Sequence, residues 1–220
     1  MLSARLFIHS ADRPVQDAWP HLDADDAHAV PMPPDASVAD QTRMLLDDAR
    51  TARSVVFAHS LRAVPAVLAA ESGQIAGLVL VEPALYDLVR GVSSAERHIA
   101  IVSDARALAA AGDLHGSWAM LRPLMFGGAL DETRWDAESS VAERWATSEV
   151  PWGHGVRRRM LSGIPALVVT GGWNEEYEAI AAVLVSLGAT YRVLSGASHR
   201  PQDLPGFAPI VADFEARLPG

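Results

Sequence analysis

Residues 54–71 read SVVFAHSLRAVPAVLAAE, a compact apolar run over Ser54–Ala58 that passes through His59 and Ser60 into a helix-prone stretch from Leu61 to Glu71. Ala76–Val81 (AGLVLV) is a second such run, beyond the helix stop at Gly73. Short apolar runs with a helix between them describe parallel strands covered on both faces. The same pattern extends outward. Arg5–His9 and Ala27–Val30 are strand candidates upstream, and Ser37 with Asp40 three places on marks the start of a helix whose Val38, Thr42, Leu45 and Ala49 share one face. Downstream come the strand Ala166–Thr170, a turn at Gly171–Gly172, a helix from about Glu176 to Leu187, a strand at Thr190–Leu194 and a closing helix from Phe207 to Leu218. Six strands joined by right-handed crossovers predict a doubly wound, mostly parallel α/β sheet.

The alternation lapses between residues 86 and 160. That stretch has helical windows such as Ser94–Ala111 and four tryptophans, Trp118, Trp135, Trp145 and Trp152, but no strand. It predicts a helical cap inserted at 86–160 into a core formed by 1–85 and 161–220. The tryptophans are expected to form the cap's own core.

Composition narrows the function. With 220 residues, 18 basic against 27 acidic side chains and a formal charge of −9, the chain lacks the positive field that holds a nucleic acid backbone. It has no cysteine, which removes disulfides, thiolate metal sites and a cysteine nucleophile. No run of about 18 apolar residues occurs, and the first residues do not form a signal sequence. A cytoplasmic protein with no membrane or nucleic acid partner is expected. His21, Asp23, Asp25, Asp26 and His28 lack metal-ligand spacing and read as a solvated acidic turn, so neither metal nor other cofactor is expected.

The chemistry lies at Ala58-His59-Ser60-Leu61-Arg62. A serine on a tight strand-to-helix turn has its hydroxyl raised above the sheet edge, over the free N–H groups and positive dipole of a helix start. A serine there can also simply cap the helix. The stretch resembles the nucleophile elbow G-x-S-x-G of the α/β-hydrolase superfamily, with Ala58 and Arg62 in place of the two glycines. Gly196-Ala197-Ser198-His199, after the last strand, resembles the superfamily's histidine loop, and Phe7-Ile8-His9-Ser10-Ala11 its oxyanion loop. The resemblance implies an α/β-hydrolase fold without the usual N-terminal antiparallel strands. It further implies Ser60 as nucleophile, His199 as base within hydrogen-bond reach of it, and an oxyanion hole from the N–H groups of Leu61 and of Ala11 or Ser10.

The superfamily's acid falls where this chain reads Gly171-Gly172-Trp173-Asn174, and asparagine carries no charge. Glu82, ending the Ala76–Val81 run, is the preferred substitute, with Glu175 as the alternative and a structural salt bridge as the non-catalytic reading of Glu82. His9, Arg62 and Trp173 are candidate substrate contacts. The implied activity is hydrolysis of an ester or thioester through an acyl-enzyme. Two alternatives stay open: an acyltransferase or carrier-protein thioesterase, in which Arg62 and Arg157–Arg159 would hold an acidic carrier or its acyl arm, and a non-catalytic binding protein with a degenerate site.

Overall fold

The computed structural model describes residues 4–8, 14–23, 27–30, 32–33, 36–50 and 53–219. They fall into two compact units, Met1–Val89 with Val150–Gly220, and Arg90–Glu149.

The first unit is built on a six-stranded sheet of β1 (Ala4–Ile8), β2 (Ala27–Ala29), β3 (Ser54–His59), β4 (Ile75–Val81), β5 (Ala166–Thr170) and β6 (Thr190–Val193). Every pairing is parallel, in the order β2-β1-β3-β4-β5-β6. Successive side chains on a strand face opposite ways. Phe7, Val55, Phe57, Val79, Val81, Leu167 and Val169 therefore share one face, where they pack with Trp19, Phe207, Val211 and Phe214. Phe7 stacks on Phe57 with ring centroids 4.6 Å apart, and the Trp19 indole meets both edge-on. The intervening residues Ile8, Val56, Ala58, Leu78 and Leu80 are equally buried. This double coverage is why β3 and β4 read as unbroken apolar runs rather than as an alternation.

Helices α1 (Val15–Ala18), α2 (Val38–Ala49), α3 (Ala63–Ala70), α7 (Glu175–Ser186) and α8 (Phe207–Glu215) complete this unit. Ser37 caps α2 by accepting the Asp40 N–H, the arrangement expected from the Ser37/Asp40 spacing. Because the chain leaves β1 toward β2 on one side and reaches β3 on the other, the strand order reverses between β1 and β3. In such sheets ligands bind beyond the carboxyl ends of the strands at that reversal.

The second unit contains α4 (Ser93–Ala110), α5 (Leu114–Phe126) and α6 (Trp135–Thr147). Its buried centre includes Ile99, Val102, Trp118, Leu121 and Ala142. Trp152, expected among the tryptophans of this helical core, belongs to the sheet unit instead, where its ring lies edge-on to Tyr86. The cause is Asp87. Its carboxylate accepts the backbone N–H groups of Gly153, Gly155 and Val156 and so fastens that segment to the turn after β4. Among the described residues no helix is long and apolar enough to cross a membrane.

Candidate active site

The site is assembled at the carboxyl ends of β3, β4 and β5 and in the loop after β6. β3 delivers Ser60, which adopts the left-handed conformation with φ +56°. L-residues other than glycine avoid that region unless the surroundings impose it, and such strain concentrates at functional sites. The Ser60 carbonyl accepts the Ala84 N–H at 3.1 Å, which ties the turn to the one following β4. Ala58 is fully buried and paired with Ile8 and Leu80. Arg62 needs no glycine-like freedom: it is right-handed, with φ −67° and ψ −11°, on a short 3-10 turn over Ser60–Arg62 that leads into α3. Near the start of this turn the Leu61 N–H lacks an intrahelical acceptor, as the first donors of any helix do.

Glu82 follows β4 directly and is also left-handed, with φ +44°. Its side chain has no solvent exposure. One carboxylate oxygen, Oε1, accepts the Gly171 N–H at 2.5 Å; the other, Oε2, accepts the Trp173 indole N–H at 3.2 Å. Oε2 also lies 3.7 Å from Nδ1 of His199. That is an ion-pair distance and too long for a hydrogen bond, and Nδ1 is buried with no hydrogen-bond partner. Among the described residues, neither arginine nor lysine pairs with Glu82. The ring of His199 is the basic group that faces it.

His199 is held by its backbone. Ser198 before it is the third left-handed non-glycine residue, with φ +45°. The His199 carbonyl accepts a 2.7 Å hydrogen bond from Nε2 of His59, which must carry the proton because a carbonyl can only accept. The two imidazole rings are 4.6 Å apart. Arg200 grips Asp203 with two 2.6 Å hydrogen bonds and reaches back to the carbonyls of Asp17 and Ala18, which braces the far side of the loop. Gly171 permits the close approach of this loop: a Cβ there would stand 2.1 Å from the Ser198 carbonyl oxygen.

Ser60, Leu61, Glu82 and His199 converge. His9, Ser10 and Ala11 lie outside the described residues, as do Asp25 and Asp26 of the acidic turn. Glu175 is exposed in the first turn of α7, and Glu176 accepts a 2.6 Å hydrogen bond from Tyr86. Burial holds the Tyr86 phenol far above its ordinary range, so it remains a neutral donor. Asn174, standing where an acid was sought, is the N-cap of α7 and accepts the Glu176 N–H at 2.8 Å. No hydrogen bond joins Ser60 to His199. The Ser60 side chain instead engages the Tyr177 phenol, whose ring lies 5.3 Å from that of His199. Burial first, then the Glu82 charge, push the Tyr177 phenol up.

Tyr177 and the tethering role of His59 were not singled out from sequence. In the sequence Tyr177 is one apolar residue of the helix from about Glu176 to Leu187, and no motif distinguishes it. Among the described residues no group of three or more His, Asp or Glu side chains could hold a metal ion.

No family model matches the chain, and no curated protein matches it in sequence. Solved structures do. MenH from S. aureus superposes with a TM-score of 0.61 at 16% identity, covering 96% of this chain and 92% of that one. NosK from Streptomyces actuosus does so with a TM-score of 0.57 at 20% identity over 99% of both chains. A carboxylesterase structure from Nitrososphaera gargenis gives 0.55 at 13% identity, over 96% of this chain and 89% of that one. The all-parallel sheet, the elbow after β3 and these superpositions agree that the chain has the α/β-hydrolase fold.

Proposed function

We propose that the protein is a serine-dependent hydrolase of esters or thioesters, with Ser60 as nucleophile, His199 as general base and Glu82 as the acid that orients the base. The observation that carries this reading is the meeting of Ser60, Glu82 and Ser198-His199. All three left-handed non-glycine residues among those described belong to this one site, and a carboxylate without exposure faces the imidazole. A purely structural acid would be expected to find a permanent cation rather than a titrating ring.

In the proposed reaction the Ser60 hydroxyl turns from Tyr177 to Nε2 of His199. The ring takes the proton as Oγ bonds the carbonyl carbon, and the oxyanion meets the Leu61 N–H, with a second donor from Ser10 or Ala11. Glu82 Oε2 faces the Nδ1–H and stabilises the imidazolium. The ring then returns the proton to the departing alcohol or thiol, leaving an acyl-Ser60. Water, deprotonated by the same ring, releases the acid and restores the serine. Closing the 3.7 Å gap at Nδ1 and forming the Ser60–His199 hydrogen bond fall to substrate binding in this proposal, since catalytic hydrogen bonds often tighten only in the reacting complex. Carboxylesterase activity in a fold neighbour is in keeping with this chemistry.

Transfer of the acyl group to a carrier thiol would use the same three residues, and the exposed Arg157 and Arg158 favour an acidic carrier as its source or acceptor. A serine-directed fluorophosphonate tests the common core. Mass spectrometry should find one adduct, on Ser60, and Ser60→Ala should abolish it while the thermal midpoint stays unchanged. An unmodified wild-type protein would mean a binding protein rather than an enzyme. Partition of a labelled acyl thioester between water and pantetheine then separates hydrolysis from transfer.

A further inference from the structure

The loop Gly171–Asn174 occupies the place where the resemblance leads one to seek the triad acid, yet it carries no carboxylate. It carries donors. The Gly171 N–H and the Trp173 indole N–H both point at Glu82, one to each oxygen, across from the neighbouring strand. The oxygen held by Trp173 is Oε2, the same one that faces His199 Nδ1. Trp173 is 45% exposed, and its ring lies edge-on to the imidazole with ring centroids 6.3 Å apart. The ring also lies 6.1 Å from that of Tyr177, and its polar end is the part that meets Glu82.

We propose that Trp173 is a positioning residue for the reaction, acting through Glu82 rather than on the substrate. The indole N–H fixes the plane of the carboxylate and directs one lone pair of Oε2 to the histidine, while Gly171 fixes the other oxygen. A carboxylate oxygen can accept both the indole and the imidazole N–H, so the two donors act together. The acid has moved to β4, and the loop it left supplies the clamp that the displaced acid needs. This inference rests on the reading of Ser60, His199 and Glu82 given above.

The test uses the full chain and the second-order rate of Ser60 labelling by the fluorophosphonate, which requires no knowledge of the natural substrate. Trp173→Phe keeps an aromatic ring and removes the N–H. It should slow labelling about 10-fold, the scale of one hydrogen bond to a charged group, and leave the thermal midpoint in place. The decisive arm is the pair of variants together. In a Glu82→Gln background the same change should alter the rate less than about 2-fold, because a group that acts through Glu82 has nothing further to remove. In ¹⁵N spectra the indole resonance that disappears in Trp173→Phe should move in Glu82→Gln.

Labelling of Trp173→Phe at the wild-type rate overturns the proposal. So does a 10-fold loss that persists in the Glu82→Gln background, which would place the indole on the substrate or on His199 directly. If Glu82→Gln alone labels normally, the assignment of the acid falls and the clamp falls with it. A slow Glu82→Gln variant with a normal Trp173→Phe removes only the clamp.

Discussion

Each unit of the molecule buries one glutamate against a tryptophan, and the two are used differently. In the helical unit, Glu138 on α6 accepts the Trp118 indole N–H at 2.8 Å and sits beside two guanidinium groups, Arg122 at 3.3 Å and Arg134 at 3.5 Å. The Trp118 hydrogen bond, followed by the arginines, holds its carboxyl below the ordinary range. In the sheet unit, Glu82 accepts the Trp173 indole and the Gly171 amide, but its charged neighbour is a histidine that is a cation only when protonated. The first glutamate is neutralised permanently, on a helix of ordinary conformation. The second sits at a strained backbone position and waits for a charge that His199 would acquire during the proposed turnover. Burial of a carboxylate by itself therefore does not mark a functional acid. The nature of its counter-charge does.

Substitutions can sharpen this contrast. The largest effect beyond the proposed triad is expected at Gly171, since an added Cβ would stand 2.1 Å from the Ser198 carbonyl oxygen and that backbone must move. Gly171→Ala should slow Ser60 labelling by about 100-fold or more, the scale of a catalytic group displaced by about 1 Å, while circular dichroism still reports a folded chain. Normal labelling would mean that the close approach of the histidine loop is incidental.

A smaller effect, on stability alone, is expected at Glu138. Because its folded pKa lies below the ordinary value of 4.5, its contribution is complete above that value and is lost as the pH falls through the lower folded value. Thermal melts of the wild type from about pH 7 to pH 3 should show this acid-side loss. Glu138→Gln should remove that part of the dependence, melt lower at neutral pH and still label at Ser60. Identical melting profiles for the two proteins would show that the pair with Trp118 and the arginines contributes nothing measurable.

The scaffold was largely open to sequence reading because its signals are local. Four of the six strands carry short apolar runs that end at loop residues, and Ser37 with Asp40 forms the cap that their spacing suggests. The elbow could be read despite Arg62 because Ser60, and not Arg62, adopts the left-handed conformation. What escaped depends on contacts distant in sequence. Trp152 follows Asp87 across 65 residues rather than any helical period. Tyr177 resembles one more apolar residue of α7, but the first turn of that helix lies over the strand ends, where its ring meets His199. Nor does anything in the sequence say that the Trp173 indole N–H meets a carboxylate 91 residues away.

The proposed mechanism depends on Glu82 as the acid that orients His199. Its most direct measurement is the Ser60 labelling rate of Glu82→Gln beside that of Glu175→Gln, both read against the wild type. The amide keeps the shape of Glu82 and removes the charge that favours the imidazolium. Glu82→Gln should therefore label slower by about 100-fold or more, and Glu175→Gln by less than about 2-fold. Equal and small losses in the two variants, or a larger loss in Glu175→Gln, would contradict the account.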